Sequence, residues 1–429
     1  MWRWDNMAYA LGYSLAPKTE RILKLLLCYR GMTAKQLTFI FFQTEQITLS
    51  QEKSIYNDLA KLKKQVLVKS LRLQQNISKG SLYYLSQAGY DYVKDLLNIE
   101  ADQTATGWLP ADYDEYDVAD LSYDVYLPPL KQTAHHLLLI DFFKELHTHS
   151  DELGETITHR HNLYAARKYK TQEGMIRYRP DAEIIINNKV FTIEIDRATE
   201  SHEQLKQKFQ TYRQYFEATA NETDAEHPVG ILFVVESRRR EQGIQRRWHN
   251  ILSAFYSVLR DYSHRLNLIL TTIDQVTDTI LLEREREFHK AKIKDHLKFY
   301  TEPNQRSFLL ENVASDGPLF AIAIDGTETY RLLLCDVAHE YESSIYKKQM
   351  HFHDQHLNVY KKKQFTIQDQ IVAFKDYQTV LFYPRYKPVV LNTFQAYKLD
   401  INLTHKLSLL SDAVDYYSFD PILNEPVTY

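Results

Sequence analysis

Three carboxylates and a lysine near the middle of the chain have the types and spacing for phosphodiester chemistry. Asp181 follows Arg179 and Pro180 and opens AEIII, a short strand pattern; Asn187 and Asn188 form a tight turn, and VFTIEID is a second strand carrying Glu194 and Asp196. A turn of this kind between two such runs predicts a β-hairpin. The period of two sets Glu194 and Asp196 on one face, about 7 Å apart along the strand, and Asp181 at the start of the paired strand meets them near the strand end. Three converging carboxylates suit a hard divalent cation, Mg²⁺ or Mn²⁺, which takes oxygen ligands and keeps several waters. Such an ion activates a water and stabilises the leaving oxygen in phosphodiester cleavage. In the following helix, Ser201 to about Phe216, the side chains Leu205, Phe209 and Phe216 form an apolar face. Gln204, Lys208 and Tyr212 share another stripe at i, i+4, i+8, which places Lys208 to steady a phosphate or position a water. Asp141 or Glu145, in AHHLLLIDFFKELH, would add an acid behind these three.

The elements that must hold these groups follow from pattern. PVGILFVVESRRR is a buried strand and EQGIQRRWHNILSAFYSVLRDY a helix. Between them Arg238, Arg239, Arg240, Arg246 and Arg247 make a basic patch suited to a nucleic-acid backbone. Paired acids on a strand often face solvent, and an Arg run is often a solvated surface, so the order of elements carries more than any one of these features.

Upstream, APKTERILKLLLCYRG predicts a helix stopped by Gly31, Thr33 caps a second short helix, and Ser50 caps a third, SQEKSIYNDLAKLKKQ. VLVKSLRLQQNISKGSLYYLS is strand, turn and strand, and QAGYDYVKDLL a closing helix. This is the order of a winged helix-turn-helix, whose third helix enters the major groove and whose hairpin wing lies over the backbone. The third helix offers Lys53, Ser54, Asn57, Lys61 and Lys64; the wing offers Lys69, Arg72, Gln74, Gln75, Asn76 and Lys79. These mix phosphate contacts with base readers. A winged helix can also dock proteins; charge favours DNA.

That charge is hidden in the total. Of 429 residues, the formal net charge is −4, yet residues 1–97 hold 14 Lys+Arg against 7 Asp+Glu, a net of +7. Residues 101–130 hold seven acids and no base, and read as a solvated tether; alternatively Trp108, Tyr113, Tyr116, Tyr123 and Tyr126 would dock it over the basic module, where it would compete with DNA, or pin it to the nuclease-like domain. Cys28 and Cys335 sit in apolar runs as reduced core residues of a cytoplasmic protein. No apolar run has membrane-spanning length, so no membrane partner is expected.

The P-D and E-I-D runs are similar to the PD-(D/E)XK nuclease core. More closely, the module ending in YYLSQAG and the run RPDAEIII…FTIEIDRATES…LKQKFQTY resemble the replication-relaxation family of bacterial plasmids and integrative elements, over residues 17 to 260. That family is similar to MobC-type relaxases, in which a nuclease-like fold nicks the transfer origin. The resemblance implies acidic site positions at Asp181, Glu194 and Asp196. The nuclease motif ends in Lys where this chain has Asp196; Lys208 would be a migrated substitute, and without it the role becomes binding alone.

The last third repeats the pattern of strand, turn, strand and helix. A shift of 140 aligns IEIDRATE with LLCDVAHE, setting Asp336 on Asp196 and Lys348 on Lys208, with Leu334 in place of Glu194. A different relaxase class is suggested by His351 and His353, with Tyr360 and Lys363 as its Tyr-x-x-Lys element, but their flanks read as helix, where neighbours two apart share no face. The pairs His135/His136 and His159/His161 read as surface residues.

The expected fold is thus α+β or α/β and multidomain: a winged helix (1–97), an acidic linker (98–130), a PD-(D/E)XK nuclease-like domain (131–275) and a C-terminal α/β domain (276–429), a degenerate copy of the centre. The expected function is Mg²⁺- or Mn²⁺-dependent DNA nicking in replication or conjugative transfer of a mobile element. Its partners would be double-stranded DNA, an origin of transfer or replication, and other relaxosome proteins. The alternative is a non-catalytic DNA-binding accessory protein or repressor on the same scaffold.

Overall fold

The structure, a computed structural model, describes residues 15–74, 80–110, 117–154, 157–171, 174–222, 227–240, 243–263 and 265–299. From 301 onward it describes 301–302, 305–309, 319–325, 329–344, 365–367, 370–372, 376–383, 386, 388–389, 417–419 and 426–428. The chain is mixed α/β, with several sheets.

The N-terminal elements run in the expected order. Helix Pro17–Tyr29 starts with Pro at its first position and ends where Arg30 and Gly31 turn to positive φ. Thr33 caps Ala34–Phe42 in a reciprocal box with Gln36. The third helix, Leu49–Lys64, is capped by Thr48 and not by Ser50. Thr48 and Gln51 satisfy each other's backbone N–H groups, whereas Ser50 is already inside the first turn. Strands Val68–Arg72 and Ser81–Leu85 pair antiparallel, and Met32–Thr33 joins the latter to complete a three-stranded sheet.

Ser86 then caps helix Gln87–Leu96. Within it Gly89 lies so close to the preceding turn that a Cβ would stand 2.0 Å from the Leu67 carbonyl oxygen. The glycine of the YYLSQAG run is thus fixed by packing. Gly89→Ala forces helix and hairpin apart, and we expect a loss of about 1–3 kcal/mol, the usual cost of overpacking, measured by thermal unfolding.

The centre is a six-stranded sheet in the order Asn267–Thr272, Gly230–Val235, Lys189–Asp196, Ala182–Ile186, Thr158–His161, Leu109–Pro110. The first three strands are parallel and the rest antiparallel. Parallel neighbours need crossovers, supplied here by helices His202–Ala218 and Ile244–Leu259. Gly230–Val235 is buried along its whole length, as a parallel strand covered on both faces must be. Helix Thr133–Thr148 covers one face. One core cluster runs from Ile22 and Leu59 through Phe142 to Ile193 and Ile280, so the N-terminal helices and this face share an interior. A second, around Phe209, Phe233 and Trp248, continues to Cys335 and Phe382. Cys28 and Cys335 are free and buried, and burial pushes the Cys28 thiol up to about 12.

The acidic segment departs from the expected tether. Tyr123 and Tyr126 donate to the Leu85 and Leu26 carbonyls, Asp120 pairs with Lys94, and Asp117 accepts from the Thr106 and Gly107 N–H groups. Leu109–Pro110 extends the central sheet, and Arg30 donates to the Val125, Tyr126 and Leu127 carbonyls. Over its described residues the segment is a strap: Tyr123 and Tyr126 dock on the N-terminal elements, and Asp117 and Asp120 find donors.

In the last third, Leu319–Asp325 pairs antiparallel with Thr329–Val337, which pairs parallel with Asp376–Tyr383. That is the pairing of Ala182–Ile186, Lys189–Asp196 and Gly230–Val235, and the offset of 140 carries residues 189–196 onto 329–336. Lys348, His351, His353, Tyr360 and Lys363 lie outside the described residues. Among the described residues no helix is long and apolar enough to cross a membrane.

Candidate active site

The end of the strand Lys189–Asp196 opens into a cleft of about 580 Å³ lined by Asp181, Glu194, Asp196 and Lys208, among others. Asp181 sits just before its strand, held by its own N–H on the Ile193 carbonyl (3.2 Å) and by the Ile195 N–H on its Oδ2 (2.9 Å). Its Oδ1 meets His135 Nε2 at 2.8 Å. Burial pushes the Asp181 pKa up, but the His135 hydrogen bond and charge, then Lys208, outweigh it and hold the group below the usual carboxylate range. The same contact raises His135 against the downward effect of its burial.

Glu194 is buried. Lys208 Nζ donates to its Oε2 at 3.0 Å and Tyr212 Oη to its Oε1 at 2.5 Å. Lys208 and Tyr212 are one turn apart on helix His202–Ala218, so the i, i+4 stripe faces the strand as its spacing predicts. Lys208 also contacts Glu200 at 3.2 Å. Burial would lower the lysine's pKa, but Glu194, Asp181 and Glu200 overcome it and keep the ammonium charged. Burial pushes the Glu194 carboxyl up to about 7; Lys208 and the Tyr212 hydrogen bond pull it down, and nearby Asp181 pushes it further up.

That shift sets a pH dependence. The folded carboxyl binds its proton more tightly than the unfolded one, whose value is 4.5. This group's contribution to stability is therefore whole below pH 4.5 and is lost as pH rises to about 7. Denaturant unfolding in chelator is expected to show this loss, and Glu194→Gln to remove it; an unchanged pH profile in the variant contradicts the assignment.

Asp196 does something else. Arg247 grips it with Nε on Oδ2 at 2.6 Å and Nη2 on Oδ1 at 2.8 Å, and the Ala198 N–H adds a third bond at 2.7 Å. A cation at Asp196 would have to displace a buried guanidinium. Asp196 is thus committed to Arg247 although it lines the same cleft, and among the described residues no group of three His, Cys, Asp or Glu is placed to hold a metal ion. Asp181 and Glu194 remain: two hard-oxygen carboxylates on one cleft, each repelled by the other's charge, fitting an ion that keeps several waters. Asp141 and Glu145 lie elsewhere. Asp141 accepts from Gln36 Nε2 (2.8 Å), tying the N-terminal helices to the centre, and Glu145 pairs with Lys144 (2.6 Å).

The histidines read as surface are interior. His136 Nε2 donates to the Gly31 carbonyl at 2.9 Å, and His159 meets Tyr29 Oη at 2.9 Å. Burial lowers His136 to about 4 and His159 to about 3, and lowers His161 as well. His135 was legible only as one of a pair beside an apolar run; its partnership with Asp181 spans 46 residues.

Of the basic residues, Lys53, Asn57, Lys61, Lys64, Lys69 and Arg72 are exposed. Ser54 is half-buried and accepts from Lys18 at 2.6 Å. Lys79, with Gln75 and Asn76, lies outside the described residues, while Gln74 lines the cleft itself. Arg238 and Arg246 are exposed; Arg239 donates to the Arg197 carbonyl, and Arg240 ends the one-turn helix Ser237–Arg240. Arg247, buried on Asp196, is removed from the surface patch.

No curated protein matches the chain. A family model described as replication-relaxation matches residues 23–229, a stretch running from the first helix through the helix that carries Lys208 to the edge of the strand Gly230–Val235.

Proposed function

We propose that the protein is a divalent-metal-dependent DNA-nicking protein of a mobile element, acting in the cytoplasm on an origin of replication or transfer, alone or with other relaxosome proteins. In this reading residues 17–96 are a winged helix that engages duplex DNA, and the central sheet is a PD-(D/E)XK-type nuclease core. The observation that carries it is the contact of Lys208 with Glu194 at 3.0 Å beside Asp181 on an open cleft. It supplies from a helix the lysine that the strand lacks at Asp196. The family match supports a role in replication.

A bound Mg²⁺ or Mn²⁺ would supply an activated water and charge stabilisation of the leaving oxygen. Asp181 and Glu194 would hold it, and Lys208 would contact the scissile phosphate. His135 fixes Asp181, Tyr212 fixes Glu194, and the Asp196–Arg247 pair locks the strand end to helix Ile244–Leu259. A non-catalytic DNA-binding protein is the second reading, favoured by the engagement of Asp196 with Arg247. Relaxation of supercoiled plasmid with Mg²⁺ or Mn²⁺, and none in chelator, separates the two.

The DNA contacts have their own test. Lys61 and Lys64 are exposed at the end of the third helix. The double Ala variant is expected to weaken binding on every sequence and to flatten the log–log salt slope by about 0.9 per lost phosphate contact. Asn57→Ala is expected to relax sequence preference instead. An unchanged slope would place the third helix off the DNA.

A further inference from the structure

A second cavity, of about 240 Å³, adjoins the cleft and shares Gln132, His135, Arg179 and Asp181 with it. It lies where helix Pro17–Tyr29, helix Thr133–Thr148 and the end of strand Thr158–His161 meet Arg179 and Asp181, so four separate stretches of chain build it. Its wall is partly apolar, with Tyr29, Leu139, Ile140 and Phe143. Most of the rest of the lining is polar or charged and includes Arg30, His136, His161, Asn162 and Arg179. Asn162 accepts from Arg30 through Oδ1 (3.2 Å) and lines the cavity. Arg179 is exposed and has no hydrogen bond or ion pair among the described residues. It stands near enough to Arg30 for the two guanidiniums to repel.

Resting on the nicking reading above, we infer that this chamber receives one unstacked nucleotide of the strand lying in the cleft. The substrate at the site is then a locally unpaired or base-flipped strand. The chamber is below the usual size of a drug-like pocket, roughly 300 Å³ and upward, and has room for one base and not for paired DNA. Hydrogen-bonding groups beside aromatic and apolar side chains, here Tyr29, Phe143 and Leu139, are what enzymes use to hold an extruded base. An adjoining phosphate would offset the repulsion between Arg30 and Arg179. Because the two spaces meet at Asp181, a nucleotide in the chamber sets the neighbouring phosphate beside the candidate site.

The test uses the full chain and two 40-mer duplexes of one sequence, one fully paired and one with a single bulged nucleotide. Unpairing is already done in the bulged duplex, so the wild-type protein is expected to bind it at least about tenfold more tightly. Leu139→Phe fills the chamber. Asn162→Asp keeps the shape and the contact to Arg30 but removes the amide donors, so it guards against a folding defect in the first variant. Both are expected to lose the preference and to bind paired duplex as the wild type does. Equal binding of the two duplexes by the wild type, or a preference that survives both substitutions, overturns the chamber's role and leaves the nicking reading standing. Binding of neither duplex overturns both.

Discussion

Glu194→Gln is expected to cut metal-dependent nicking roughly a thousandfold, about 4 kcal/mol of barrier, with DNA affinity little changed. The amide has the shape of the carboxylate and can still accept from Tyr212, so the pocket keeps its form. It loses the charge that a cation and Lys208 both require. If Lys208 contacts the scissile phosphate as proposed, Lys208→Ala removes a donor of the kind whose loss costs about 10²–10³ in rate. The measurement is the rate of relaxation of supercoiled plasmid in Mg²⁺, with filter binding or anisotropy for affinity. Equal nicking by wild type and Glu194→Gln removes Glu194 from the chemistry.

Asp196→Ala is expected to act on stability. It strands Arg247, which is 8% exposed and otherwise holds the Glu200 carbonyl at 2.7 Å. Removing one partner of a buried pair costs about 3–5 kcal/mol, while replacing both by apolar residues of similar volume is often near neutral. Urea unfolding of Asp196→Ala should show that loss, and Asp196→Leu with Arg247→Met should recover most of it. A stable Asp196→Ala that has lost nicking would instead make Asp196 part of the chemistry.

These two residues show how far the sequence alone reaches. Period two along VFTIEID sets Glu194 and Asp196 on one face, and i, i+4 spacing sets Lys208 and Tyr212 on one stripe; both arguments are local, and Lys208 and Tyr212 do bond Glu194 together. Local geometry says nothing of partners 51 residues away, so Arg247 read as a surface cation when it is the counter-ion of Asp196. His135 was missed for the same reason. The N-terminal elements were legible because caps, turns and periodicity are short-range, and the one shift, from Ser50 to Thr48, came from a capping box overlooked two residues upstream. In the acidic segment charge alone points to a solvated tether and the tyrosines to a docked one; the hydroxyls of Tyr126 and Tyr123 reach the Leu26 and Leu85 carbonyls, contacts made across 100 and 38 residues.

The position of a divalent cation decides between nicking and binding alone. Crystals soaked in Mn²⁺ and measured at its absorption edge should give an anomalous peak between the carboxylates of Asp181 and Glu194, with Arg247 still on Asp196. A peak at Asp196 with Arg247 displaced, or no peak in the cleft at saturating Mn²⁺, would contradict this placement.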